Sequence, residues 1–241
     1  MGNIYPELQR KAAAAMADGG LLDEMVRVTA RALKPEEAIG NPEGDDFPIQ
    51  KGKERLMQAE IRGVLGQAFT DRFGDFEGTL GAILAAPLTN NYRRAIWTAA
   101  LNAALRLLGM IDGTVHCRDQ EPARCAEALA EHIQSCHGRV KITQIGFQPR
   151  MVQALGARFA IRVLDMDPEN IGQRKWGTVI ESPLVTDDAL AWADLLLVTG
   201  TTLVNGTLPA FVGAKPVIFY GTTIAGAAHL MGWERFCAHS T

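Results

Sequence analysis

Apolar positions recur at helical spacing from the start of the chain. Leu8, Ala12, Ala15 and Met16 are followed by Leu21, Leu22, Met25, Val26, Val28 and Leu33. The pattern predicts one amphipathic helix over residues 6–33, bent or broken at Gly19-Gly20, where glycine raises the entropy cost of helix. From Pro35 to Thr70 the pattern changes. Glu37-Ala38-Ile39, Pro48-Ile49-Gln50 and the run from Ile61 to Phe69 are short and punctuated by Gly and Pro. They predict a small antiparallel sheet of two to four strands, with a turn at Asn41-Pro42-Glu43-Gly44. Thr79 to Leu84 reads as a short helix ended by Pro87. Asn90 or Asn91 then caps a longer one by accepting from an unpaired backbone N–H. In that helix Ile96, Trp97, Ala100, Leu101, Ala104, Leu105 and Leu108 repeat at three and four, predicting one wide apolar face. Gly109 stops it.

Periodicity fades around Asp112-Gly113, which is where a domain junction is expected, dividing the chain into 1–112 and 113–241. Glu121 to His137 reads as a helix with Pro122 tolerated in its first turn. Beyond it the chain alternates. Apolar strands are expected at 140–146, 159–165, 178–180, 195–198 and 216–220, with a last one at 235–238. Short helices fall between them at 149–155, 187–193 and 225–231. This alternation predicts an α/β fold with a mostly parallel sheet covered on both faces. Trp176 and Trp192 read as packing residues.

Composition narrows the function. The chain carries 24 basic and 27 acidic residues, for a net charge of −3. That balance argues against nucleic acid or an anionic membrane surface as the main partner. No apolar run is long enough to span a bilayer. The N-terminus lacks the pattern of a secretory signal, and Pro6 stands where a myristoylation signal wants Ser or Thr. Four cysteines in 241 residues are too few for a disulfide scaffold. A reduced, cytoplasmic setting is therefore expected.

Candidate chemistry gathers at the expected strand ends, because ligands of open parallel sheets sit beyond the carboxyl ends of the strands. Those ends read Gly146-Phe147-Gln148-Pro149, Asp165-Met166-Asp167, Glu181-Ser182, Thr199-Gly200-Thr201-Thr202 and Gly221-Thr222-Thr223. Glycine lets backbone approach a ligand and threonine adds hydroxyls beside the N–H donors. The segment Thr199 to Thr207 is the most unusual. Asn205 and Gly206 let it fold back and present polar groups to one cleft without fixed charge. Such a loop suits an anionic or chelated ligand; its structural alternative is a turn with a capped helix. Asp165 can hold a ribose or a cation, or start a turn at Asp167-Pro168. No phosphate-loop, dinucleotide, nucleophile-elbow or zinc-protease motif is present. Cys125, His132 and Cys136, spaced by seven and four, share a helix face with Leu129 and read as core packing. His116-Cys117 is the weaker candidate for a metal ligand set.

Two segments carry a family resemblance. Arg94 to Ala104, which includes Asn102, resembles the A-A-x-N-A helix of the heavy-metal chelation domain family, and Thr199 to Leu208 resembles that family's T-G-T-T-L-x-N-G-T motif. The resemblance spans roughly 5–110 and 125–241. It implies a small α+β half like the enolase N-terminal domain, followed by a Rossmann-like half. It also implies a cleft between them that binds a heavy-metal ion, a metal chelate or a metal-cofactor precursor. The implied site residues are Thr199, Gly200, Thr201, Thr202, Asn205, Gly206, Thr207 and Asn102. Two positions depart from the family pattern. Phe147 stands where members often carry His, and Gly221-Thr222-Thr223-Ile224-Ala225 replaces a G-P-S/T-x-P loop. The partner expected is a small molecule or metal, and homo-oligomer formation is left open. Three function classes compete: a metal or metal-chelate binding protein or enzyme, a nucleotide- or phosphate-dependent transferase without metal, and a non-catalytic subunit of a cofactor pathway.

Overall fold

The computed structural model describes residues 3–29, 54–213 and 215–241. The expected strands at 37–39 and 48–50 and the turn at 41–44 lie outside the described residues. Two sheets form an α/β fold. The first has four antiparallel strands, β1 (Met25–Thr29), β2 (Arg55–Ile61), β3 (Val64–Thr70) and β4 (Phe76–Thr79), in the order β3-β2-β1-β4. The second has seven: β5 (Lys141–Ile145), β6 (Ala160–Leu164), β7 (Arg174–Lys175), β8 (Thr178–Glu181), β9 (Leu195–Thr199), β10 (Val217–Tyr220) and β11 (Arg235–Phe236). Their order is β11-β10-β9-β5-β6-β8-β7, parallel throughout except for the β7–β8 hairpin. The alternating apolar pattern of the second half therefore specified a parallel sheet.

The helix expected over 6–33 is corrected. It spans Tyr5–Asp18 only, and Met25–Thr29 is strand β1. Leu21 N–H donates to Met16 O and Gly20 N–H to Ala17 O, the paired bonds that close a helix over a left-handed Gly20. Past that stop, Met25-Val26-Arg27-Val28-Thr29 alternates exposed and buried positions, and its branched side chains suit a pleated surface. The Trp176 expectation is corrected too. Trp176 sits at the tip of the β7–β8 hairpin and is 40% exposed.

The helix Asn91–Leu107 joins the two sheets. Asn90 caps it, its side chain accepting from Arg93 N–H at 2.9 Å. Instead of one apolar face, every residue from Ala95 to Leu105 is buried. The five alanines among them let neighbours approach from all sides. On one side β3 comes so close that a Cβ on Gly66 would lie 2.2 Å from Ala103 N. On another side pack the helices Thr201–Asn205 and Ala225–Met231. A single apolar cluster runs from Leu8 and Val26 through Trp97 and Leu101 to Val198, Leu203, Phe219 and Ala228. The two sheets thus share a core. Among the described residues no helix is long and apolar enough to cross a membrane.

Candidate functional site

In the large sheet the chain leaves β5 toward β6 on one side and later returns through β9 on the other. Such a reversal opens a crevice at the carboxyl ends, where α/β sheets bind ligands. Here the ends of β5, β6, β9 and β10 meet. Gly146, at φ +90, sits so tightly that a Cβ would lie 2.7 Å from Thr199 Cγ2 and 3.0 Å from Tyr220 Oη. The Tyr220 hydroxyl donates toward Gly146 O at 2.9 Å and Ile145 O at 3.1 Å, and burial pushes its pKa up. Phe147 is buried, and its N–H donates to Asp165 Oδ2 at 2.6 Å. Asp165 Oδ1 accepts from Asp167 N–H at 2.8 Å and from Asn170 at 3.3 Å. The carboxylate therefore fixes both loops at the centre of the crevice.

The 199–207 segment forms a short helix, Thr201–Asn205, capped by a left-handed Gly206. Thr202 is buried, and its hydroxyl donates to Thr199 O at 2.7 Å. Thr201 Oγ1 donates to Thr199 Oγ1 at 3.2 Å. Asn205 Oδ1 accepts from both the N–H and the hydroxyl of Thr207, and its Nδ2 points toward Met166 Sδ at 3.7 Å. This face is anchored to the first half of the chain. Arg94 Nε donates to Val204 O at 2.6 Å, and the Tyr5 hydroxyl to Leu203 O at 2.7 Å. Neither Arg94 as an anchor nor Tyr5 was singled out from the sequence.

Asn102 lies beneath the crevice, fully buried. Its Nδ2 donates to Gln67 O, Thr222 O and Thr223 O, at 2.9, 3.1 and 3.3 Å, and its Oδ1 accepts from Gly226 N–H at 2.8 Å. All its bonds go to backbone, so it braces three segments from below. Thr223 Oγ1 accepts from Phe69 N–H at 3.0 Å, tying the 221–223 loop to β3. The hydroxyl oxygen of Thr222 and Oε1 of Gln144 are buried without a hydrogen-bond partner.

The charge of the crevice differs from the sequence expectation. Glu54, just before β2, brings a carboxyl from the first sheet into the field of Asp165, Asp71 and Asp167. Burial first, and then those three like charges, push its pKa up to about 7. A loop set without fixed charge thus lies in the field of carboxylates, because those charges come from segments distant in sequence. Glu54 and Asp71 carry no motif that would have marked them.

His116 and Cys117 stand elsewhere, at the far end of the sheet edge. Burial lowers the His116 pKa and pushes the Cys117 thiol up to about 12. The proposed packing face of the 121–137 helix holds in part. Cys125 is buried at 3% exposure, but Cys136 is exposed. The helix is longer than the apolar cluster beneath it, which ends at Ile133. Among the described residues, no group of three His, Cys, Asp or Glu side chains is placed to hold a metal ion.

Residues 128–228 match the model of a family described as "Putative heavy-metal chelation". The family resemblance is supported. The match takes in β5 to β10, and with them the whole crevice edge. Among solved structures, the chain is similar to a protein of unknown function from the same family in Pyrococcus horikoshii. The TM-score is 0.57 at 18% identity, over 91% of this chain and 79% of that one. It also matches a family member of unknown function from Desulfitobacterium hafniense DCB-2, with a TM-score of 0.49 at 17% identity, over 73% and 72% of the two chains. At such identities the first likeness speaks to the fold alone. No curated protein matches the sequence.

Proposed function

We propose that the crevice around Asp165 binds a metal ion carried inside a small chelate, with the metal toward the carboxylates and the anionic groups toward the hydroxyls. The observation that carries this reading is the placement of Asp71, Asp165 and Asp167 in the field of the buried Glu54 carboxyl, whose pKa burial and then those charges raise to about 7. Like charges held together favour a cation that relieves them. With no three described side chains placed to hold a bare ion, the remaining ligands come from the chelator. The Thr199 and Thr201 hydroxyls and Asn205 Nδ2 are neutral donors for its anionic groups. Oxygen donors suit hard or borderline cations. The heavy-metal description of the matched family agrees with this reading in kind. The same carboxylates disfavour a free phosphate or nucleotide. In this proposal residues 1–112 supply Glu54 and Asp71, and residues 113–241 supply Asp165, Asp167 and the hydroxyls.

The test is calorimetric titration at pH 6.5 with Ni²⁺ alone, Ni²⁺–citrate and citrate alone, in buffers of different ionisation heat. A bound cation lowers the Glu54 pKa, so binding should release protons. Ni²⁺–citrate should bind more tightly than either component, and Glu54→Gln should abolish the proton release. Tighter binding of citrate alone, with proton uptake, would sink the proposal.

A further inference from the structure

Asn90 and Asn91 are adjacent candidates for one helix cap, and the structure divides them. Asn90 takes the cap, accepting from Arg93 N–H at 2.9 Å. The Asn91 side chain, in the first turn of the same helix, is left for other partners. Its Nδ2 donates to Asp71 Oδ1 at 2.7 Å, and its Oδ1 accepts from Arg94 Nη2 at 2.6 Å. A guanidinium only donates and an ionised carboxylate only accepts, so one orientation of the Asn91 amide alone serves both.

These bonds continue on either side. Asp71 follows β3 in a turn closed by Thr70, whose Oγ1 accepts from Arg72 N–H at 3.0 Å and donates to Arg72 O at 2.9 Å. Tyr92, next to Asn91, grips the far end of that turn, its hydroxyl donating to Asp75 O at 3.1 Å. On the other side Arg94 reaches Val204 O through Nε at 2.6 Å and Leu88 O through Nη1 at 2.9 Å. A Cβ on Gly206 would lie 3.3 Å from Arg94 Nη2, so the guanidinium also packs against the bare end of the 199–207 segment. Three oxygens in different directions are held at once, a task for the rigid fork of arginine. A continuous run of hydrogen bonds, Asp71 to Asn91 to Arg94 to Val204, therefore joins a carboxylate of the first half to the hydroxyl-bearing segment of the second.

We infer that Asn91 and Arg94 are positioning residues for the crevice, setting Asp71 and the 199–207 segment at a fixed separation across the join between the two halves. This role rests on the reading of the crevice as a chelate site. There the metal faces the carboxylates and the anionic groups face the hydroxyls, so the separation of the two walls decides whether both ends of one chelate are met together. Neither positioning residue has to touch the ligand.

The chain supplies its own control in Asn90, which serves the helix start and bonds neither wall. Hydrogen exchange is followed in the ligand-free wild type, Asn90→Ala, Asn91→Ala and Arg94→Lys, and each is then titrated with Ni²⁺–citrate and melted. Asn91→Ala should speed amide exchange at 203–207 at least about threefold, although Asn91 bonds none of those residues, and leave β5 unchanged. Its affinity for Ni²⁺–citrate should fall about three- to tenfold, the range of one lost hydrogen bond. Asn90→Ala should melt lower and bind as the wild type does. Arg94→Lys keeps the charge but cannot hold Val204, Leu88 and Asn91 together, so exchange and affinity should shift as in Asn91→Ala. Unchanged exchange at 203–207 in both Asn91→Ala and Arg94→Lys overturns the inference. Equal losses of affinity in Asn90→Ala and Asn91→Ala overturn it too, because binding would then follow the stability of the helix start. A wild-type chain that binds no Ni²⁺–citrate sinks the chelate reading and the positioning role with it, whatever the exchange shows. Should Asn91→Ala fail to fold, Arg94→Lys alone decides by the same two readings.

Discussion

The two ends of one sheet edge hold opposite chemistry. Around Asp165 the groups are oxygens: carboxylates, threonine hydroxyls and backbone amides at the central crevice between β5 and β9. Around Cys237 they are sulfurs, held beside the edge strand β11 by a folded-over tail, where Val115 and Thr241 exchange two backbone hydrogen bonds. At the first end burial, and then the nearby carboxylates, raise the Glu54 pKa to about 7. At the second the Cys125 side chain, and then Arg235, lower the Cys237 pKa. The contrast teaches that strand ends on one scaffold can be tuned to different chemistry. The sheet sets their positions, and the loops and the first half of the chain set their charge.

Removal of Asn102 should have the largest effect. It bonds the backbone of Gln67, Thr222, Thr223 and Gly226 from a fully buried position. Asn102→Ala leaves buried donors and acceptors unpaired, each costing about 1–3 kcal/mol, so a loss of about 3 kcal/mol or more is expected in urea unfolding. If the two ends share this brace, the Glu54 titration and the Cys237 labelling rate both change. A change at one end alone would show that the brace serves only that end.

Glu54→Gln separates the ends by charge. Folding raises the Glu54 pKa from its ordinary 4.5 to about 7, so the folded chain holds the extra proton. The stability this contributes is complete below about pH 4.5 and is lost as pH rises through about 7. The variant should therefore match the wild type at pH 4 and exceed it by about 1–3 kcal/mol at pH 8. Thermal melts across that range provide the check, and the Cys237 labelling rate should not move. A variant less stable at pH 8 than the wild type would mean that Glu54 is ionised and paired in the folded chain.

Much of this edge was legible in the sequence. Gly146, Asp165, Thr199 and Gly221 were located as strand ends, because apolar runs of four to six residues closed by Gly or Asp leave few alternatives. The helix expected at Glu121 to His137, with Pro122 in its first turn, has those bounds. What could not be read was charge and contact between segments far apart. Glu54 comes within electrostatic range of Asp71 and Asp165 only in the folded chain, since the three lie far apart in sequence or on different sheets. Cys237 comes within range of Cys125 only when residues 235–241 fold back. Helical phase grouped Cys136 with Cys125, but phase cannot say where the apolar cluster beneath a helix ends.

Asn205→Ala should have a smaller effect. The side chain accepts two bonds from Thr207 and offers Nδ2 toward Met166. Losing the turn bonds should cost about 1 kcal/mol. If Nδ2 also serves the chelate, affinity for Ni²⁺–citrate falls as well. Unchanged affinity with a lower melting temperature would reduce the segment to a structural turn, and the crevice would then rest on its carboxylates alone.

Cys136→Ser is expected to do least, and its quietness sharpens the contrast at the thiol end. The side chain is exposed past the end of the apolar cluster, with Ser135 Oγ at 3.7 Å and His132 Nδ1 at 3.8 Å. Neither contact is buried, so stability should stay within about 0.5 kcal/mol of the wild type. A loss of more than about 1 kcal/mol would mean that Cys136 packs against the helix face it shares with Cys125, as helical phase alone predicts.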